Sequence, residues 1–350
     1  MFTAVFGAGA SYDADPDQPK RDPWRPPLTE ELVAARASFA EALGLYQPTV
    51  PLIARLRNLP AGSSLEDQLE SLAAELDYEA GQQQIAALRF YLRHVTWYCG
   101  QAMLARTRGV TNYATVLAIV DAWLHHTKER ACLLTFNYDP LLDDAVMRSL
   151  RIDLRSIDSF IGGRSDVIYT KLHGSADWRR VVEQKPRPHT SASAVALIGA
   201  AGRLRFTSEY LVLPVDARKK RPWSEDFRIR DTEEPNTAER ITFPELALPL
   251  RTKSTFACPP AHLEAVLGAL GETSKLLVVG WRAREQHFMT EWGRVRNKPV
   301  RADIVCGSAA GAEAVVNQLR SIGLGGDLRT FGKGFTDYVR SNALRSLLDA

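Results

Sequence analysis

Three short polar segments carry the residues of this chain that could do chemistry: GAGAS at residues 7–11, TFNYD at residues 135–139 and LHG at residues 172–174. A glycine-rich turn lets backbone N–H groups approach a pyrophosphate closely; Gly7, Ala8 and Gly9 would supply that turn and Ser11 a hydroxyl. The amide of Asn137 can hold a water or a ribose hydroxyl, and the Asp139 carboxylate can accept hydrogen bonds from a carboxamide. His173 is the side chain suited to take a proton from water or a sugar hydroxyl near neutral pH. Each segment also has a purely structural reading. GAGAS lacks the third glycine of the usual dinucleotide fingerprint and could be a tight turn without a ligand. Asn137 and Asp139 could cap a helix that starts at Pro140, and His173 could be structural. His94, His125 and His126 fit structural roles, and no H-E-x-x-H or carboxylate–histidine spacing points to a metal.

The elements that would position these residues are apolar runs that read as buried strands. TAVF (3–6) and ACLL (131–134) stand directly before the first two segments, and VIY (167–169) stands two residues before the third. Ligands of open α/β sheets bind beyond the carboxyl ends of parallel strands, so the three segments could converge on one crevice, a nucleotide site. Residues 13–27 are polar and proline-rich and read as a loop near that site. A helical pattern opens at Thr29 and stops at Gly44, and Ser63 with Glu66 reads as a capping box ahead of a long helical stretch. Residues 28–130 therefore read as a helical insertion, broken by a proline-marked connection around 47–62. Residues 181–242 read as an irregular β-rich excursion, with short β pieces at 204–206 and 210–215. After it come a helix from Pro259 and Pro260 to Leu270, a strand at 275–280, a helix at 284–295, a strand at 302–306, a helix at 310–322 and a last helix after Gly334. The expected fold is α/β: one domain over residues 1–350, with a Rossmann-like, mostly parallel sheet, helices on both faces and the insertion after the first strand.

Composition narrows the class of partner. With 350 residues, 45% hydrophobic and 24% charged, the chain is long enough for a large core and matches no disorder class. A net charge of +3 does not by itself imply a polyanion partner, and the basic run at 218–221 reads as a solvated loop in preference to a nucleic-acid contact. Cys99, Cys132, Cys258 and Cys306 are dispersed without a C-x-x-C pair, which argues against a zinc ribbon and for core thiols in a reducing cytosol. Met1 runs almost directly into the first strand without a signal-peptide pattern, and no apolar stretch approaches the roughly 20 residues of a membrane span. The expected location is the cytoplasm, with no membrane contact.

The ordered trio GAG-x-S, T-x-N-x-D and HG, each after a strand, resembles the sirtuin-like family, and its bacterial branch of NAD-consuming defence proteins more closely than the protein deacetylases. The resemblance covers the sheet segments around these motifs and, more loosely, residues 276–280 and the carboxyl-terminal strand and helix. It implies that Gly7, Ala8, Gly9 and Ser11 bind the NAD phosphates and neighbouring ribose. It further implies that Asn137 positions the ribose or attacking water, that Asp139 holds the nicotinamide carboxamide and that His173 is the catalytic base. Gly280 would border the nicotinamide ribose, and Gly307 with Ser308 the adenosine end. Three departures stand out. Only Cys258 and Cys306 follow the HG segment, where deacetylases carry four zinc-binding cysteines. The stretch from Asn137 to His173 is longer than in the deacetylases. No clear acidic or Asn residue meets the adenosine ribose between Gly280 and Cys306.

The resemblance thus implies an NAD glycohydrolase that releases nicotinamide and ADP-ribose, with NAD as substrate and no metal, acting as an antiviral defence effector. A regulatory protein that binds NAD or ADP-ribose without turnover, or an NAD-dependent protein deacylase, are the alternatives. An enzyme that depletes NAD harms its host unless restrained. A homo-oligomer is therefore expected, or a partner such as a sensor or an ATPase, a HerA-like ATPase being one candidate, with nucleic acid reached only through that partner.

Overall fold

The computed structural model describes residues 1–17, 22–58, 64–183, 194–213, 228–229, 240–249, 256–295 and 298–349. Its strands are β1 (Phe2–Phe6), β2 (Ala131–Thr135), β3 (Val167–Lys171), β4 (Gly174–Val182), β5 (Phe206–Val212), β6 (Arg228–Ile229), β7 (Arg240–Leu246), β8 (Lys275–Val279), β9 (Val300–Val305) and β10 (Gly326–Phe331). Six of them form one parallel sheet in the order β10-β9-β8-β1-β2-β3. β1 is the central strand, with Phe2 opposite Ala131 on one side and Lys275 on the other. All five of its residues are buried, as they are in β2, because a parallel strand is covered on both faces. The chain leaves β1 toward β2 and β3, then returns to build β8, β9 and β10 on the opposite side. That reversal is the doubly wound arrangement, and it opens a crevice between the carboxyl ends of β1 and β8.

The helices are α1 (Ala8–Tyr12), α2 (Ala37–Leu45), α3 (Val50–Arg57), α4 (Leu65–Glu75), α5 (Glu79–Thr107), α6 (Asn112–Thr127), α7 (Leu141–Ala145), α8 (Ser159–Gly162), α9 (Ala194–Gly199), α10 (Pro260–Glu272), α11 (Gln286–Val295), α12 (Ala309–Ser321), α13 (Phe335–Arg340) and α14 (Ala343–Leu348). Alternation along β1 sends Phe2 and Phe6 to one face, where they meet Trp123 and Tyr113 of α6 and Phe335 of α13. Thr3 points to the other face and hydrogen-bonds Thr273 after α10 at 2.6 Å. Helices therefore cover both faces of the sheet.

The helical segment after β1 differs from its expected form at two points. The helix expected from Thr29 to Gly44 is a single 3-10 turn, Thr29–Glu31, followed by α2. Between them the Arg57 guanidinium donates to the carbonyls of Val33 and Ala34, and the Ala34 carbonyl also accepts from the Arg36 N–H. The cap of α4 is Ser64, whose Oγ accepts from the Asp67 N–H at 3.1 Å; Ser63 of the expected capping box lies outside the described residues. α5 runs through 29 residues and packs against α2, α3 and α4 and against β4 and β7. These contacts form a second apolar core, with Phe39, Leu52, Leu69, Phe90, Tyr91 and Phe243 among its members.

At the two ends of the stretch expected to be an irregular β-rich excursion, β4 and β7 pair with each other and with β5 and β6 in an antiparallel sheet, β5-β4-β7-β6. The two short β pieces expected at 204–206 and 210–215 fall on one strand, β5, which α9 precedes, and residues 214–215 lie outside the described residues. β4 starts immediately after His173, so the HG segment is a corner between the two sheets. Gly174 has φ +74°, and a Cβ there would lie 2.3 Å from the Glu245 carbonyl oxygen, which makes this corner a glycine position. The basic run at 218–221 lies outside the described residues. β10 is an edge strand absent from the sequence reading. No helix among the described residues is long and apolar enough to cross a membrane.

Candidate active site

A cleft of about 860 Å³ opens at the carboxyl ends of the parallel strands. Gly7, Ala8, Gly9 and Ser11 reach it from the β1–α1 turn, Asn137 and Asp139 from the β2–α7 loop, and His173 from the β3–β4 corner. Gly280 after β8 and Gly307 and Ser308 after β9 complete the opposite wall. The fold thus brings all ten sequence-selected residues to one cavity.

The glycine turn is held by β8 as well as facing the cleft. Gly7 N–H donates to the Val279 carbonyl and Gly9 N–H to the Gly280 carbonyl, both at 3.0 Å. Gly280 has φ +61°, and a Cβ on it would lie 2.2 Å from the Ala10 nitrogen; a Cβ on Gly9 would lie 2.8 Å from the Gly280 Cα. The three glycines permit two backbones to touch. Two of the turn's amides are therefore committed to β8, and a bulky residue at Gly9 would disturb packing before it disturbed a ligand.

Asn137 is fixed from one side only. Its Nδ2 donates to the Gly7 carbonyl at 2.8 Å and lies 3.0 Å from Ser11 Oγ and 3.2 Å from the Tyr113 hydroxyl. Oδ1 accepts no hydrogen bond among the described residues. Asn137 does not cap α7. Asp139 does so in part, its Oδ1 accepting from the Leu141 N–H at 3.1 Å while the residue lines the cleft. Burial pushes the Asp139 carboxyl above the usual carboxylate range, against the pull of Lys171 and of a hydrogen bond from Ser11.

Beneath this loop lies the fully buried Lys171 at the end of β3. Its Nζ donates to the Asp139 carbonyl at 2.7 Å and to Asp143 Oδ2 at 2.6 Å, and the Tyr169 hydroxyl donates to the other Asp143 oxygen at 2.8 Å. Burial still raises the Asp143 carboxyl, although Lys171 opposes it. From β4, the Ala176 N–H donates to the Tyr138 carbonyl at 2.9 Å. The loop that carries Asn137 and Asp139 is thus braced from two sides.

His173 is 4% exposed, with the Phe136 ring edge-on at 4.8 Å and Tyr138 at 6.4 Å. Phe136 in turn stacks on Trp281 at 5.2 Å and 8°. Phe136, Trp281 and Tyr113 are absent from the sequence selection. Phe136 stands between Thr135 and Asn137 inside the TFNYD segment, and Trp281 follows Gly280, so proximity to the motifs was their one signal. Tyr113 had none.

The loop after α1 lies along the cleft mouth. Arg25 sits 3.7 Å above the Tyr12 ring and donates to the Tyr12 carbonyl at 2.7 Å, and both residues line the cavity. Asp13 accepts from the Thr336 N–H and hydroxyl, and Arg106 of α5 pairs with Asp15 and Asp22. Of the other cations at the cavity, Arg282 pairs with Glu30 and Arg284 with Glu66. Cys306 also lines the cleft, but burial pushes its thiol up to about 11, so it is protonated at neutral pH and a poor nucleophile. No cluster of His, Cys, Asp or Glu among the described residues could hold a metal ion.

No protein-family model matches this chain, and no curated protein matches its sequence. Among solved structures it is similar to a complex of a mutant Sir2 homologue with ADP-ribose, at 14% identity and a TM-score of 0.37, over 99% of this chain and 93% of that one.

Proposed function

We propose that this protein is an NAD glycohydrolase. The observation that carries the reading is the convergence of the glycine turn, Asn137, Asp139 and His173 in one cleft at the switch point of a parallel sheet. In hydrolysis the bond between the anomeric carbon and the pyridinium nitrogen breaks, its electron pair leaves with neutral nicotinamide, and a water oxygen bonds to the anomeric carbon as its proton is lost. The protein must hold the leaving group, orient the ribose and guide that water. Asp139 is suited to the carboxamide, Asn137 Oδ1 to a ribose hydroxyl or the water, and His173 to the proton. Phe136 and Trp281 supply an apolar wall beside His173 that suits a pyridine ring.

The test is direct: purified protein is incubated with NAD, and products are separated by chromatography. Nicotinamide and ADP-ribose in equal amounts are expected. NAD binding without either product would replace this reading with that of a regulatory NAD-binding protein.

Because NAD loss damages the cell that makes the enzyme, we further propose a cytoplasmic defence effector restrained by self-assembly or by a sensor or ATPase partner. Sedimentation of the purified chain, alone and with proteins encoded beside it, tests that restraint. A chain that is monomeric, unpartnered and constitutively active would contradict it.

A further inference from the structure

We propose that Tyr113 is a positioning residue that orients the Asn137 amide with its nitrogen inward and its oxygen toward the cleft. The inference rests on the NAD-hydrolysis reading for its role in turnover, and on hydrogen-bond geometry for the orientation itself. The Asn137 nitrogen can only donate, and three acceptors surround it: the Gly7 carbonyl, Ser11 Oγ and the Tyr113 hydroxyl oxygen. Ser11 Oγ and the Tyr113 oxygen are 3.0 Å apart. With the nitrogen in that place the Tyr113 proton goes to Ser11 Oγ, the other hydrogen-bond partner of its hydroxyl among the described residues. The Tyr113 oxygen is thereby left to accept from the Asn137 amide.

Among these three acceptors a reversed Asn137 amide has no place. Its Oδ1 would face the Gly7 carbonyl oxygen, which can only accept, and the Ser11 and Tyr113 oxygens would lose the amide protons they now accept. The outward oxygen is then presented as an acceptor to a ribose hydroxyl or a water. Tyr113 is itself closely packed: it is fully buried, with its ring edge-on to Phe6 at 5.2 Å and to Phe335 at 5.6 Å. Tyr113→Phe keeps those ring contacts and removes only the hydroxyl.

The experiment pairs kinetics with a readout of the amide itself. For Tyr113→Phe, kcat for NAD should fall roughly tenfold, the loss of about one hydrogen bond's orienting effect, with KM within about twofold of the wild type. In protein labelled with nitrogen-15 asparagine, the Asn137 side-chain proton pair, identified by its loss in Asn137→Ala, should shift and exchange with water faster in Tyr113→Phe. Should Tyr113→Phe fail to fold, Ser11→Ala removes the same link from its other side and should alter the pair likewise. An unshifted proton pair, or a wild-type kcat in a folded Tyr113→Phe, overturns the inference. If the wild type releases no nicotinamide, the proposed function falls, and the proton pair still decides whether Tyr113 sets the amide.

Discussion

The two ends of the cleft are built differently. Where β1, β2 and β3 end, Asn137, Asp139 and His173 are 7%, 8% and 4% exposed, and the loop between them is tied by Lys171, Tyr113, Ser11 and the Ala176 amide. Where β9 and β10 end, Gly307, Ser308 and Lys333 are exposed. A site that must hold reacting atoms gains from preorganised, water-poor surroundings, whereas a site that only grips the far part of a ligand does not need them. Under the proposed function, the contrast would put chemistry at the braced end and affinity at the open one.

The largest expected effect is at the braced end. His173→Ala should lower kcat by about 100- to 10,000-fold, the span of general acid–base catalysis, and leave NAD affinity nearly intact by calorimetry. A folded variant that turns over NAD at the wild-type rate would remove His173 from the mechanism.

Next comes the brace itself. Lys171→Met leaves the Asp143 carboxyl buried without its cation and should cost about 3–5 kcal/mol of stability. Denaturant titration of Lys171→Met against the double variant Lys171→Met with Asp143→Leu measures it, and the double variant should recover much of the loss. A single variant as stable as the wild type would show that the pair contributes nothing to the loop.

How much of this was legible follows the same divide between local and distant partners. The parallel strands could be read because both of their faces are buried, which leaves near-continuous apolar runs such as ACLL and KLLVV ahead of the motifs. β10 could not, since it lies at the sheet edge, begins at Gly326 with φ +119°, and answers the buried Asp303 with Arg329. β4 was hidden by Asp177 and Arg179, polar residues that are buried because Ser175 and the Trp178 carbonyl bond them. Tyr113 and Lys171 reach the site through partners distant in the chain, which no spacing rule reports. The glycines of GAGAS were legible as a turn, but their contact with Gly280 required the sheet order.

A smaller effect separates the two ends by pH. Burial raises the Asp139 carboxyl in the folded protein, so the folded state holds its proton to higher pH than the unfolded chain does. The stabilisation from this group is complete below the ordinary carboxylate range and is lost as pH rises through the raised folded value. Asp139→Asn cannot titrate and can still accept from the Leu141 N–H. Its melting temperature relative to the wild type should therefore improve from pH 4 to pH 7, while turnover falls. A constant difference across that range would mean that Asp139 titrates alike in both states.

The smallest effects belong to the open end, where they test the contrast most sharply. Gly332 packs against the Ser308–Ala309 backbone and the Gly334 N–H donates to the Cys306 carbonyl at 2.9 Å, so Lys333 is carried beside the start of α12. Ser308 Oγ caps that helix by accepting from the Gly311 N–H at 3.1 Å, and Ser308→Ala should cost about 1 kcal/mol of stability. Lys333 is a solvated cation, whose attraction for a ligand phosphate is limited by water and salt. Lys333→Ala should raise KM for NAD about threefold at low ionic strength, less at high salt, with kcat unchanged. Steady-state kinetics at two salt concentrations measures both terms. A drop in kcat comparable to that of His173→Ala would place reacting atoms at this end and reverse the division drawn between the two halves of the cleft.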